Sequence, residues 1–424
     1  MLRFNYTFGF ARCTGQLLCY NYLMEKFKPT NIKGGVDVLP GVQILRNRVM
    51  GVLRKHFEAY GYVPIETASL NYLEVLSYKY DEGSEIVKEI YKLRDQGDRD
   101  LGLRFDLTVP FAKFIATNRN LKMPFRRYEI GKVWRNGPVK AGRLREFIQC
   151  DIDVVGDSSM AVEAEQIALA VACYRELGIE PVVKYGNRKL LIGLIQGAGV
   201  SDENFDKVIA IIDRIEKVNR AELLCELGKY MSPAKAEALL ESFKNPVKPA
   251  EVSEFERYLA LNGISDACVF TPQLARGLNV YTGTVWEIFD KAGRITSSIG
   301  GGGRYDRIIT DWIDNGLEYP AVGMAFGLEP IMALIGAQDG RGEEHTIDML
   351  VIPITVDEKI FKFATAQRES GRRVQIWNGK MQKGMEYANA TEIPFTCVIG
   401  EKELKSGKVQ IKNMQSGKSE EVKL

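Results

Sequence analysis

An α+β protein is the expectation: an antiparallel sheet flanked by helices, with a helical insertion and a C-terminal α/β domain. Three observations predict it. The stretch FRRYEIGKVWRNGPVKAGRLREFIQCDIDVVG alternates strongly around a loop of Gly137, Pro138 and Gly142. The region from about Leu190 to Leu261 is helical in pattern almost throughout. Residues 346–424 alternate short strand and helix signals.

The elements follow in order. GVDVLPG, Gly35 to Gly41, is turn chemistry, punctuated by Pro40-Gly41. After it Ile44, Leu45, Val49, Val52, Leu53 and Phe57 fall at helical spacing, and Gly61 suits the stop. YVPIETASL reads as a strand. A tight DQGDRD turn separates two more strands, and a helix is expected from about Val109. The alternating stretch reads as a hairpin of strands 126–135 and 145–155. Long strands joined in this way indicate an antiparallel sheet. Helical spacing resumes at Met160 and leads into the inserted helical unit, broken at GAGVSDEN and KNPVKP. Strand signals return in ACVFTPQLARGLNVYTGTVWEIFD and RITSSIGGGG. A helix is expected at YDRIITDWI, then a strand running into a helix at YPAVGMAFGLEPIMALIG. AQDGRGEEHT reads as a linker. Beyond it, short links between alternating strands and helices predict a separate domain with a largely parallel sheet and a closing hairpin.

Composition narrows the function. The 424 residues carry a formal net charge of +2, so bulk positive charge does not coat nucleic acid, and such a partner needs a local basic surface. Seven cysteines are widely spaced with no CxxC, which argues for a reducing compartment and against a cysteine zinc site. Two histidines, His56 and His345, leave little for a histidine metal site. No apolar run reaches the length of a membrane span. Residues 1–32 are aromatic-rich with a single acid, Glu25, and lack a secretory signal pattern; they read as an N-terminal extension of unknown role.

No GxxxxGK[ST] loop, strand-to-helix GxGxxG or HExxH occurs. What remains is a set of charged and polar groups on expected strands: Asp106, Arg135, Gln149, Asp153 and Arg276. Strand alternation turns Gln149, Asp151 and Asp153 to one face and Cys150, Ile152 and Val154 to the other. A solvated face laced with salt bridges would explain this pattern. So would a ligand bearing an amine, a carboxylate and a phosphate, since guanidinium forks bind anions bidentately. The run SSIGGGGRYD, Ser297 to Asp306, is costly in chain entropy and marks close backbone approach by something.

In this order, RFDLTVP (Arg104 to Pro110), the alternating hairpin, LARGLNVYTGTVWE, GGGGRYD and AVGMAFGLEP resemble a class II aminoacyl-tRNA synthetase, and within that class the histidyl-tRNA synthetase family. The resemblance runs from Lys33 to the C-terminus. It implies activation of L-histidine by ATP, with Mg²⁺ arriving on ATP through ligands it does not identify, and transfer of the histidyl group to tRNA(His). Arg276, Arg135 and Gln149 are the implied catalytic residues. By position, Arg135, Arg143 and Arg276 would bind ATP. Asp106, Thr108 and Gln149 would hold the α-amino group, Asp153 and Tyr281 the imidazole, and Arg276 the carboxylate. Gly301 and Gly302 would floor the histidine pocket. The chain departs from the family pattern at Asn279, at Val280 and at Pro330, which stands where an arginine is usual.

The implied domains are an extension (1–32), a first catalytic part (33–188), a helical insertion (189–262), a second catalytic part (263–338) and an anticodon-binding α/β domain (346–424). A cytoplasmic homodimer without membrane association is expected. A different reading is a non-catalytic paralogue serving as a histidine-sensing regulatory subunit. The expected C-terminal domain argues against it.

Overall fold

The computed structural model describes residues 29–78, 85–139, 144–215, 217–274, 280–339 and 346–424. Its centre is an eight-stranded sheet. In chain order the strands are β1 (Val63–Pro64), β2 (Phe125–Trp134), β3 (Glu146–Val155), β4 (Pro181–Asn187), β5 (Cys268–Phe270), β6 (Thr284–Asp290), β7 (Gly300–Arg304) and β8 (Ala321–Gly327). Across the sheet they lie in the order β1-β2-β3-β8-β7-β6-β4-β5. Neighbours are antiparallel except at the two edges, where β1 joins β2 and β5 joins β4 in parallel.

The expected hairpin is β2 and β3, in register from Phe125 opposite Val155 to Trp134 opposite Glu146. YVPIETASL yields far less strand than its pattern suggests. Val63 and Pro64 pair with β2, the Ile65 N–H still donates to the Tyr128 carbonyl at 3.0 Å, and Leu70 pairs with Leu103 in a separate three-stranded sheet. Between the two sheets Thr67 enters a buried polar cluster.

One face of the sheet is apolar. Cys150, Ile152 and Val154 of β3, Trp286 and Ile288 of β6, and Met324 and Phe326 of β8 pack there in one continuous core. Four helices supply its other half: α1 (Pro40–Ala59), α2 (Met160–Glu176), α3 (Ala250–Leu261) and α4 (Leu328–Asp339). The α2 helix starts on Ser159, whose side chain accepts the Ala161 N–H. Pro330 stands in the first turn of α4, where its missing N–H breaks no helical bond.

The helical unit has its own core, running from Leu191 to Phe243. The last helix of the expected insertion does not join it. Val252, Phe255 and Leu259 of α3 pack into the main core, with Phe255 against Tyr185 of β4 at 5.2 Å between ring centroids. Its helical spacing is local information, whereas the core it joins is set by chain far away in sequence.

Residues 346–424 form a five-stranded sheet of their own. Met349–Pro353 pairs in parallel with both Val374–Ile376 and Phe395–Ile399, and Lys408–Asn413 with Ser419–Lys423 closes the edge as an antiparallel hairpin. Among the described residues no helix is long and apolar enough to cross a membrane.

Candidate active site on the polar face of the sheet

Register builds the site. On β3, Gln149, Asp151 and Asp153 stand opposite Gly131, Glu129 and Arg127 of β2. On the other flank the same three stand opposite Gly327, Ala325 and Gly323 of β8. One strand further, Ala325 faces Gly301 and Gly323 faces Gly303. Half of this face therefore bears charged groups, and the half on β7 and β8 bears almost no side chains. Strands without side chains leave backbone open to close approach.

The four glycines of β7 divide between the faces. Gly302 pairs with Met324 and Trp286, both in the helix-side core. A Cβ there would lie 2.3 Å from the Gly323 carbonyl oxygen and 2.5 Å from the Met324 Cβ. A Cβ on Gly300 would lie 2.5 Å from the Tyr174 hydroxyl, under the same face. Gly302 thus corrects the sequence expectation: its missing side chain makes room for the core, whereas Gly301 and Gly303 have the parity of the polar face. Gly302→Val is expected to part β7 from β8 and cost at least the ~1–3 kcal/mol typical of an overpacked core. Gly301→Val, at a position with the parity of the polar face, should instead weaken binding of a ligand on that face more than Gly302→Val does. Thermal unfolding and substrate titration of the two variants would expose the opposite ranking.

The arginine and tyrosine that end GGGGRYD also part company. Arg304 turns to the helix side, where its guanidinium meets the buried Glu163 carboxylate. Tyr305 turns to the polar face and donates its hydroxyl to Asp153 Oδ1 at 2.5 Å. The second Asp153 oxygen lies 2.6 Å from Arg127 Nη2. Asp153 is not a free acceptor awaiting a ligand. It is 2% exposed and held from two sides, though each oxygen keeps a second lone-pair direction.

Arg127 is fully buried, with its guanidinium 4.4 Å from the centre of the Phe111 ring and Nη2 donating to the Leu107 carbonyl. Glu129 beside it accepts from the Thr67 N–H at 2.9 Å and from Arg104 Nη1 at 2.7 Å. Gly131 has no side chain because Arg104 crosses it: a Cβ would lie 2.5 Å from Arg104 Nη2.

Asp106 precedes the helix Thr108–Thr117 and accepts the Val109 N–H at 3.1 Å. Burial pushes its carboxyl up to about 6, against the pull of Arg135 and Arg127. Thr108 opens that helix, half-buried. Arg135 follows β2, donates Nε to the Phe105 carbonyl at 3.0 Å and lies 5.1 Å over the Phe147 ring. Tyr281 is partly buried and covers Gly303, where a Cβ would meet its ring at 2.7 Å. Val280 packs beside it in the same cluster. The structure therefore gathers Asp106, Gln149 and Asp153 on one face, with Arg135 reaching Asp106 electrostatically. Arg276 and Arg143 lie outside the described residues.

Sequence reasoning passed over Arg127, Glu129, Arg104 and Tyr305. The alternation of FRRYE placed Arg127 and Glu129 on one face and was a usable signal. Nothing local announced that Thr67 or Tyr305 would arrive there.

A large sheet with an acid- and arginine-bearing face, joined to a small α/β domain, is the layout of an aminoacyl-tRNA synthetase. Residues 34–331 match the family described as histidyl-tRNA synthetase, and residues 348–424 match the anticodon binding domain. The chain belongs to the histidyl-tRNA synthetase family. It is 41% identical over 416 residues to histidine–tRNA ligase 1 of Bacillus cereus, covering 93% of this chain and 95% of that one. It is 38% identical to histidine–tRNA ligase 2 of Shouchella clausii, covering 94% and 99%. The crystal structure of histidyl-tRNA synthetase from Nostoc superposes with a TM-score of 0.80 at 27% identity, over 94% of this chain and 97% of that one. A Bacillus halodurans structure described as an ATP phosphoribosyltransferase regulatory subunit/histidyl-tRNA synthetase shares the fold, with a TM-score of 0.73 at 20% identity over 86% of this chain and 97% of that one.

Proposed function

We infer that this chain is a histidine–tRNA ligase. The observation that carries the reading is an acid- and arginine-bearing catalytic face joined to a domain of the anticodon-binding family. A regulatory, non-charging role is not favoured, because the match to named ligases spans 93% of the chain, C-terminal domain included.

The histidine carboxylate attacks the α-phosphorus of ATP, forming histidyl-adenylate as pyrophosphate leaves. A terminal ribose hydroxyl of tRNA(His) then attacks the activated carbonyl and AMP leaves. ATP enters as its magnesium complex, the ion held mainly by phosphate oxygens. The protein's task is positioning and charge stabilisation. Arg135 holds the α-phosphate, with the Phe147 ring beside its guanidinium. Asp106, Thr108 and Gln149 receive the α-amino group. Gln149 Oε1 is buried without a partner among the described residues, which suits a ligand N–H. Asp153 and Tyr281 receive the imidazole over the bare floor of Gly301, and Arg276 meets both carboxylate and α-phosphate. Arg143 contacts the ATP tail or the acceptor end of the tRNA. The anticodon is read by residues 346–424. The working form is a cytoplasmic homodimer, and exposed Val63, Leu70 and Tyr72 near the sheet edge suit burial against a second copy.

Histidine-dependent exchange between ATP and pyrophosphate, run beside tRNA charging, tests the reading. Exchange with histidine and with no other amino acid is expected, since a site built for imidazole N–H groups leaves polar atoms unpaired around other side chains. Arg276→Ala should lower the exchange rate by about 10²–10³. A folded, dimeric protein with no exchange at saturating histidine and ATP would remove the ligase reading.

A further inference from the structure

Among its described residues the charged face holds one carboxyl more than it holds guanidinium groups. Three guanidinium groups among these residues serve four acids, and Arg127 lies near two of them, 2.6 Å from Asp153 and 3.8 Å from Glu129. Arg104 pairs with Glu129 and Arg127 with Asp153, while Arg135 acts electrostatically on Asp106. Asp151, at the centre of the row, has no ion pair among the described residues. It is 3% exposed. Its one hydrogen bond there is long, 3.4 Å from Gln149 Nε2 to Asp151 Oδ1. Glu129 faces it from β2, Asp153 flanks it on β3, and Asp106 and Arg127 complete its charged surroundings. A buried acid without a cation is costly, and the usual resolutions are a bound proton or a ligand cation. Burial among these other acids does push the Asp151 carboxyl well up. On its other flank stand Ala325 and then Gly301, which bring a methyl group and a hydrogen to that part of the face.

We propose that Asp151 is a further substrate-binding residue, a carboxylate that receives the α-ammonium group of the amino acid together with Asp106 and Gln149. The proposal rests on reading this face as the amino-acid pocket. Gln149 and Asp151 converge at their tips, so a group bound by the Gln149 amide lies within reach of the Asp151 carboxylate. An ammonium placed there supplies the positive charge that the floor lacks.

The test compares Asp151→Asn with the unsubstituted enzyme in histidine-dependent exchange, using imidazole-4-propionate, histidine without its amine, as a competitive inhibitor. The KM for histidine should rise roughly 10- to 100-fold, as expected for one charge-assisted contact. The KM for ATP and the inhibition constant of the des-amino analogue should stay within about twofold. An unchanged histidine KM would overturn the proposal. So would equal weakening of histidine and the analogue, which marks a merely structural role. Should Asp151→Asn fail to fold, Asp151→Ser is read in the same way. Absence of exchange in the unsubstituted enzyme would instead remove the ligase reading itself.

Discussion

Arg127→Met is expected to destabilise the native state by about 3–5 kcal/mol, the range found when one partner of a buried ion pair is removed. The guanidinium is fully buried, and it is the one cation paired with Asp153 among the described residues. It also lies 3.8 Å from Glu129. Without it, Arg104, paired with Glu129, is the remaining ion-pair partner of Asp153, Asp151 and Glu129 among the described residues. Methionine fills much of the volume but brings no charge, so the loss is electrostatic rather than a cavity. Urea unfolding at pH 8 should show the drop as a lower midpoint with an unchanged slope. The deficit should shrink as the pH is lowered, because the orphaned carboxyls then take up protons. Asp153→Asn introduced into the same chain should recover part of the loss, a coupling that a double-mutant cycle measures. A midpoint equal to that of the unsubstituted protein would refute the role given to Arg127.

Asp106→Asn is expected to move stability and activity in opposite directions. The Asp106 carboxyl is pushed from 3.8 up to about 6, with burial the main cause. A raised folded value means that the native state prefers the protonated acid. The favourable contribution is complete below 3.8 and disappears as the pH rises through about 6. Above that, the ionised carboxylate costs about 3 kcal/mol relative to its neutral form. Asparagine keeps an oxygen for the Val109 N–H and removes the charge. At pH 8 the variant should therefore melt higher than the unsubstituted protein, and the two should converge below pH 4. Histidine-dependent exchange should fall by about two orders of magnitude, since the α-amino group loses its ionic partner. A variant that is less stable at pH 8 would refute burial as the cause. One that keeps full exchange would take Asp106 out of the substrate site.

These expectations depend on different amounts of sequence and structure. Strand parity is a local property with a period of two. The separation of Gln149, Asp151 and Asp153 from Cys150, Ile152 and Val154 was therefore legible before any fold was known, and the structure keeps it. The order of the five family-like segments was equally plain, and with it the family. The two hairpin strands came within a residue of their observed ends.

The same parity rule explains what was misread. A run of four glycines carries no side chains to reveal its faces, so Gly301 and Gly302 looked alike. Only pairing with Met324 and Trp286 turned Gly302 into the core. Helical spacing in α3 showed an apolar stripe without showing which core receives it. The stretch YVPIETASL divides between two sheets, Val63 and Pro64 in one and Leu70 in the other, with Thr67 between them bonded to Glu129, 62 residues away.

By itself, the sequence determined the segment order, the periodicity of each element and the two faces of the hairpin, because each of these rests on residues a few positions apart. Tertiary structure alone decided which groups meet. Asp153 faces Arg127 and Tyr305, Arg104 crosses Gly131, and Asp151 is left as the acid without a cation among the described residues. Those meetings follow from the alignment of strands and loops that lie far apart along the chain, and no local pattern encodes that alignment.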